Sequence, residues 1–201
     1  MTRVTRGPGP ASIAIGFRVK SGYAIAVALQ GPASAPAIVA RRIVELSDPG
    51  SPGTRQPYHD GFFKQEDDLR EIARRVKIVR RCATRSVAAL LRDDVLAGRR
   101  CCGAGLVVGS VIDPKTVGNL HIRAHASEGQ LFRTVLEEAL RPHGIACDVI
   151  VEKTMAGAAA ARLRRSNAAI KRTVGGLGKA LGGTWRADEK AACAAAWMAL
   201  R

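Results

Sequence analysis

Aromatic residues and long apolar segments are both scarce in this sequence. Phe, Trp and Tyr make up only 4% of the 201 residues, which argues against an aromatic platform that stacks single-stranded bases. The longest apolar stretches, such as residues 23–29, fall well short of the roughly 20 residues that cross a bilayer. Residues 1–10 contain no apolar core, so a secretory signal is not expected. These absences predict a cytoplasmic protein with no membrane partner.

Motifs that hold metals or disulfides through cysteine are also missing. The five cysteines form no C-x-x-C pair, and most lie in apolar runs, so we expect reduced, packed thiols. The histidines form no H-E-x-x-H motif. Two weaker histidine patterns stay open. His121 and His125 are four residues apart, as metal ligands on one helical face would be, and His59 with Asp60 could act as a general base with its orienting carboxylate.

Acidic residues are outnumbered by basic ones, 17 to 32, which gives a formal net charge of +15. A hydrophobic content of 47% excludes a disordered chain and permits a real core. We therefore predict a flexible leader, residues 1–11, and one domain over residues 12–201. Within the domain we expect a long loop at 47–63 and a basic, glycine-rich loop at 171–183. Positive charge on this scale indicates partners that carry phosphates.

Hydrophobic periodicity predicts an α/β fold. Three short apolar segments separated by turn residues indicate an antiparallel meander, and the later strands alternate with helices, which indicates parallel crossovers. The predicted strands are 12–19, 23–29, 37–46, 105–109 and 147–151, and the predicted helices are 66–97, 128–140, 155–169 and 187–200. This order gives a mixed sheet with helices on both faces.

Three short matches resemble the RuvC and YqgF branch of the ribonuclease H-like superfamily, the branch of Holliday junction resolvases. The stretch Gly105-Leu-Val-Val-Gly109-Ser110-Val-Ile-Asp113-Pro114 is similar to the family's fourth strand and the loop after it. Val151-Glu152-Lys153-Thr154 resembles the Asp-Glu-Arg-x-Thr signature, and Asp188-Glu-Lys-Ala191-Ala192 resembles the closing Asp-x-x-Ala-Ala. The resemblance implies a ribonuclease H-like mixed five-stranded sheet, in which two parallel strands join a three-strand antiparallel meander.

The resemblance also implies carboxylate ligands for Mg²⁺ or Mn²⁺. Glu152, Asp188 and Asp113 are the candidate catalytic residues, and Glu152 and Asp188 would be the metal ligands of an active enzyme. The family places a further catalytic Asp on the first strand, but the equivalent stretch here, Ile15-Gly16-Phe17-Arg18-Val19-Lys20-Ser21-Gly22, has no carboxylate. We therefore expect impaired or lost nuclease activity. In the alternative interpretation, Glu152 pairs with a nearby Arg and Asp188 only caps a helix.

Basic residues are concentrated in two places. On the long predicted helix a row steps by three and four residues: Arg70, Arg74, Lys77, Arg81 and Arg85, with Arg75 and Arg80 beside it. Between Glu152 and Asp188 there are eight basic residues and no acid: Lys153, Arg162, Arg164, Arg165, Lys171, Arg172, Lys179 and Arg186. Phosphate contacts from such groups carry no direct base-sequence information.

The favoured interpretation is a ribonuclease H-like protein that binds duplex or structured nucleic acid. One alternative is a nuclease that uses Mg²⁺ or Mn²⁺ at a rearranged carboxylate site. Another is an adaptor that binds an acidic protein or ribosomal RNA.

Overall fold

Five strands form one mixed sheet in the computed structural model, which describes residues 12–61 and 64–200. In chain order they are β1 (Ser12–Lys20), β2 (Tyr23–Gln30), β3 (Ala37–Glu45), β4 (Arg100–Val108) and β5 (Cys147–Val151). Their order across the sheet is β3-β2-β1-β4-β5; the first three strands are antiparallel, and β4 and β5 run parallel to β1. The predicted mixed sheet is confirmed. The predicted leader, residues 1–11, lies outside the described residues.

Helices cover both faces of this sheet. In chain order they are α1 (Leu69–Leu91), α2 (Leu120–Leu140), α3 (Met155–Leu163), α4 (Asn167–Leu177) and α5 (Ala187–Ala199). Helices α1 and α2 pack on one face, and α5 packs on the other face together with α3 and α4. No helix in the described residues is both long enough and apolar enough to cross a membrane.

Strand β1 is buried on both faces because it lies in the middle of the sheet. Its side chains alternate between the two faces. Ile13 and Phe17 join the core under α1 and α2, whereas Ala14 joins the core under α5. Arg18 falls on the α5 side of the same alternation, at a buried position where a charge must be paired.

Helix α5 approaches the sheet so closely that two strand positions have no room for a side chain. A Cβ on Gly16 of β1 would overlap the backbone of Ala192, and one on Gly105 of β4 would lie 2.9 Å from the carbonyl oxygen of Ala195. Alanine predominates along α5, which allows this spacing. Trp197 of the same helix is fully buried, so core packing accounts for it.

The long loop between β3 and α1 is tied to α1 by one arginine. Arg75 donates from Nη1 to the carbonyl oxygen of His59 at 2.9 Å. The same guanidinium pairs with Glu66 at 3.0 Å and with Glu71 at 2.7 Å. Arg75 is therefore part of the structure and is not available to a partner.

Helix α1 is shorter at both ends than the predicted 66–97. Asp68 caps the N-terminus, since its Oδ1 accepts from the backbone N–H of Arg70 at 2.8 Å. At the other end the carboxylate of Asp93 accepts from the N–H of Val95 at 3.1 Å. This local hydrogen bond turns the chain before the apolar pattern ends.

Helix α2 begins well before its predicted start at residue 128. The side chain of Asn119 accepts from the N–H of Ile122 at 3.0 Å, so Asn119 caps the helix where the sequence suggested a loop. His121 and His125 therefore lie one turn apart on a helix.

The predicted helix at 155–169 is two helices. Arg164 adopts a left-handed conformation with φ of 50°, which ends α3, and Ser166 caps the start of α4. The glycine-rich segment 171–183, expected as a loop, is α-helical as far as Leu177 and continues as a 3-10 helix over Gly178–Leu181. Apolar contacts of α4 with the core outweigh the low helix propensity of its glycines.

We expect Gly16→Ala to lower the free energy of unfolding by about 3 kcal/mol, because the new methyl group would force α5 away from β1. Gly157→Ala is the matched control, since no heavy atom lies within 4 Å of its Cβ position in α3. That change should be neutral or slightly stabilising. Urea denaturation of both variants measures the difference, and equal effects would contradict the close approach of α5.

Candidate functional site

A buried arginine lies at the end of β1 between two acidic side chains from other elements. Arg18 is 5% exposed. Its Nη2 donates to Oε2 of Glu152 at 2.5 Å, and its Nε donates to Oδ1 of Asp188 at 3.2 Å. Lys20 adds a second cation, with Nζ 3.1 Å from the same Asp188 oxygen. One guanidinium thus bridges the two carboxylates that the sequence singles out.

The topology explains why these residues meet. Alternation along β1 directs Arg18 and Lys20 to the α5 side of the sheet. Asp188 lies in the first turn of α5. Glu152 directly follows β5, whose end lies at the same edge as the end of β1 because both strands run parallel to β4. The paired acids compensate a guanidinium that would otherwise be costly to bury.

The pairing keeps Asp188 ionised. Burial alone would raise the pKa of Asp188, but the hydrogen bonds and positive charges of Lys20 and Arg18 together outweigh burial, so the pKa lies below its ordinary value. Glu152 is the more accessible acid, with 52% of its side chain exposed against 32% for Asp188.

The third candidate catalytic residue, Asp113, has a local role. Its Oδ1 accepts from the N–H of Lys115 at 3.0 Å and caps a short 3-10 helix. Glu152 pairs with an arginine, as the alternative interpretation expects. The carboxylate that accepts from the backbone at the start of α5 is that of Glu189, not that of Asp188.

The donor set at Arg18 does not fit the Mg²⁺ or Mn²⁺ ions that the family resemblance implies. These ions need several oxygen ligands around one point. Here a buried guanidinium already contacts both carboxylates, and the Lys20 ammonium contacts one of them. A divalent ion would have to displace Arg18 and approach two positive charges.

The basic row on α1 lies on the exposed side of that helix. Its five members are Arg70, Arg74, Lys77, Arg81 and Arg85, all exposed. Arg74 is paired with Glu71 at 2.6 Å, and the adjoining Arg80 contacts Glu138 of α2. The other four members make no ion pair with any acid in the described residues. The row can therefore contact an anion.

The second basic group, called the α3–α4 basic set, is also exposed. It comprises Lys153, Arg162, Arg164, Arg165, Lys171, Arg172 and Lys179. Arg162 pairs with Asp148 at 2.7 Å, and the guanidinium of Arg165 lies 5.6 Å from the centre of the Trp197 ring. Within residues 12–61 and 64–200, the remaining five cations have no acidic partner.

A groove of about 510 Å³ separates α3, α4 and α5. Met155 and Ile170 are among its apolar lining residues, and Lys171, Lys190 and Glu152 contribute charged groups. The groove thus connects Lys171 of the α3–α4 basic set to Glu152, one of the two acids paired with Arg18. Helix α1, which carries the other basic row, packs on the opposite face of the sheet. The two predicted basic surfaces are therefore separate.

A second cluster of ionisable groups lies where the long loop meets α2. Nδ1 of His59 is 2.7 Å from Oε1 of Glu128. Nε2 of His59 is 3.3 Å from Nδ1 of His121, and Nε2 of His121 is 3.3 Å from Nε2 of His125. The pairing of His59 with Asp60, left open from the sequence, does not form, because Glu128 takes that place and Asp60 pairs with Lys64.

Burial dominates the electrostatics of this cluster. It raises the pKa of Glu128 to about 7, against the opposing effects of His125 and of the Tyr58 backbone N–H. Burial also lowers the pKa values of His59 and His125.

The sequence singles out His121 and His125 as a pair, and His59 only as a partner of Asp60. Recognising Asn119 as a helix cap would have placed Glu128 on the same helical face as both histidines. His59 lies 62 residues from His121 in a loop without periodicity, so no sequence signal links the two.

No family model and no curated protein matches the sequence. Among solved structures, RuvC from Thermus thermophilus in complex with a Holliday junction substrate is similar, with a TM-score of 0.53 and 11% identity over 93% of this chain and 91% of that chain. A second Thermus thermophilus RuvC structure has a TM-score of 0.51 and 10% identity over 92% of each chain. The likeness establishes a ribonuclease H-like fold of the RuvC kind.

We expect Arg18→Met to lower the free energy of unfolding by about 1–3 kcal/mol at pH 7, because two facing carboxylates lose the guanidinium that compensates them. The lowered pKa of Asp188 means that its pairing stabilises the fold above the unfolded-state pKa of about 3.9. This contribution is lost as the pH falls through the folded-state pKa. The difference between the two proteins should therefore shrink below about pH 4.

Arg162→Met is the control for this prediction, since it breaks an exposed pair with Asp148. It should change the free energy of unfolding by no more than about 0.5 kcal/mol. Urea denaturation at neutral and acidic pH provides the measurement. A deficit of Arg18→Met that stays constant with pH would show that the ion pairs are not its cause.

Proposed function

We propose that this protein binds duplex or branched nucleic acid through the α3–α4 basic set and the adjoining groove, and that it does not cleave what it binds. The observation that carries the proposal is the buried guanidinium of Arg18 between Glu152 and Asp188. The guanidinium neutralises two carboxylates that would otherwise repel phosphates. It also occupies the place between them where a metal ion would have to bind.

Charge distribution supports the choice of surface. Residues 153–187 contain no acidic residue, and five exposed cations of the α3–α4 basic set are free of acidic partners within the described part of the chain. Lys171 and Lys190 line the groove beside them. Lys and Arg groups of this kind release counterions from a duplex, and they fix position without reading the base sequence.

Because of the ion pairs at Arg18, a polyanion can approach Glu152 without net repulsion. Arg18 and Lys20 carry two positive charges, and Glu152 and Asp188 carry two negative charges, so the group has no net charge. An unpaired carboxylate at this edge of the groove would repel a phosphate. The paired group, with no net charge, does not repel a phosphate in this way.

The fold likeness supports nucleic acid as the partner. The Thermus thermophilus RuvC structure that resembles this chain holds a Holliday junction substrate. We infer that the same class of molecule, a branched or continuous duplex, contacts this chain through backbone phosphates.

The proposed surface predicts that charge reversal in α4 weakens binding. Lys171→Glu combined with Arg172→Glu should reduce the affinity for a labelled four-way junction or duplex at least about tenfold at low salt. The slope of log affinity against log salt should become shallower by about 2, because two phosphate contacts are lost. Fluorescence anisotropy over about 50–200 mM salt measures both quantities.

Lys77→Glu combined with Arg81→Glu makes the same charge change on α1 and serves as the control. We expect a clearly smaller loss of affinity from this control. Equal losses would contradict the assignment to the α3–α4 basic set. If neither DNA nor structured RNA bound in a salt-dependent way, the binding proposal would fail and an acidic protein would become the better candidate partner.

The proposal also predicts the absence of cleavage. Labelled junction, duplex and hybrid substrates should remain intact with Mg²⁺ or Mn²⁺. Arg18→Asp supplies a third carboxylate at this point, so Mg²⁺ should raise the Tm of that variant but not that of the wild type. Cleavage by the wild type that Asp188→Asn abolishes would overturn the loss of catalysis.

A further inference from the structure

The three histidines His59, His121 and His125, called the histidine cluster, have the spacing of metal ligands. Nε2 of His59 lies 3.3 Å from Nδ1 of His121, and Nε2 of His125 lies 3.3 Å from Nε2 of His121, so His121 can offer either nitrogen to an ion shared with one neighbour. Two imidazole nitrogens bound at about 2.0–2.1 Å to one tetrahedral ion lie about 3.3 Å apart. All three rings offer a ligating nitrogen within 4.8 Å of the others.

Glu128 orients the ring of His59 and lies near the ring of His125. Its Oε1 lies 2.7 Å from Nδ1 of His59, and its Oε2 lies 3.7 Å from Nδ1 of His125. When Nδ1–H of His59 points to the carboxylate, the lone pair of that ring lies on Nε2. Nε2 of His59 and Nε2 of His125 both face the ring of His121. A buried carboxylate that fixes the tautomer and direction of ligating histidines is a common outer partner in metal sites.

The burial of Glu128 needs a compensating charge. Glu128 is 1% exposed, and its Oε2 has no hydrogen-bond partner among the described residues. A buried carboxylate with an unsatisfied oxygen is costly. A cation held by the histidine cluster would supply the missing charge without a direct contact.

The donor atoms select the class of ion. Imidazole nitrogen suits Zn²⁺ and neighbouring transition ions, whereas Mg²⁺ and Ca²⁺ prefer oxygen. No thiol belongs to the cluster, so the site differs from a cysteine-based zinc site.

We propose that His59, His121 and His125 bind one divalent transition-metal ion of the zinc type, with Glu128 as the outer carboxylate. The ion joins the long loop, which carries His59, to α2, which carries the other two ligands. Three protein ligands leave a fourth position of a tetrahedral ion for water or another ligand.

The proposed ion lies near the Arg18 end of β1 but in a separate site. Arg18, Lys20 and His125 line a common cavity of about 230 Å³. None of the three histidines contributes to the carboxylate pair. The metal site therefore does not depend on nucleic-acid binding, and its test can fail without affecting that proposal.

Metal titration of tag-free, chelator-treated protein tests the site. Zn²⁺ should bind with a stoichiometry of one per chain by calorimetry and should raise the Tm. Co²⁺ should give visible d–d absorption of a tetrahedral site without the near-ultraviolet charge-transfer band of a thiolate ligand. A thiolate band would assign the metal to cysteine and would overturn the proposal.

Variants locate the ion. His121→Ala and His125→Ala should each weaken Zn²⁺ binding at least about 100-fold, and Glu128→Gln should weaken it about 10–100-fold. His143→Ala, which removes a histidine outside the cluster, is the control and should bind as the wild type does. Circular dichroism confirms that each variant is folded. Unchanged affinity in both folded histidine variants, or no binding by the wild type, would refute the site.

Discussion

The backbone of α5 lies directly on β1 and β4, and the position of the main candidate site follows from that contact. Gly16 and Gly105 leave no side chain between the helix and the sheet, so the direction and height of α5 are fixed relative to β1. Asp188, in the first turn of α5, then comes within hydrogen-bonding reach of Arg18, two residues beyond Gly16 on the same face of β1. A larger residue at Gly16 would change both the packing and the ion pair. The candidate site and the core on this face therefore depend on one close approach.

The guanidinium of Arg18 does for the carboxylates what a bound cation would do, but it is covalently part of β1. A metal ion exchanges with solvent and can bring a water or a phosphate oxygen with it. A guanidinium donates hydrogen bonds, has no vacant coordination position and cannot leave. Two carboxylates at the end of the sheet are thus explained as partners of a structural cation. Their convergence alone would have suggested a metal site, and Arg18 on the first strand accounts for it without a metal ion.

Local patterns predict the strands well because the apolar segments are short, bounded by turn residues and arranged in a meander. The meeting of Glu152 with Asp188 also follows from parallel strand ends. The sequence shows that the first strand lacks a carboxylate, but not that Arg18 is buried between both acids, because that depends on the height of α5. The sequence pattern predicts a loop at residues 171–183, where burial of Val174 instead stabilises a helix. It also misses Glu128 as a partner of His59, since the long loop has no periodic signal and its path is set by Arg75.

The two faces of β1 end in contrasting electrostatic environments. On the α5 side, Arg18 and Lys20 provide permanent positive charge to two acids that are partly exposed. On the α2 side, the more deeply buried acid, Glu128, faces imidazoles that carry charge only when they bind a proton or a metal ion. The first arrangement needs no metal ion, because its carboxylates already have cationic partners. The second keeps an unsatisfied oxygen and three imidazoles that each offer a nitrogen within 4.8 Å of the others. Of the two arrangements, the nitrogen donors on the α2 side therefore suit a transition-metal ion, whereas the carboxylates of the family resemblance do not.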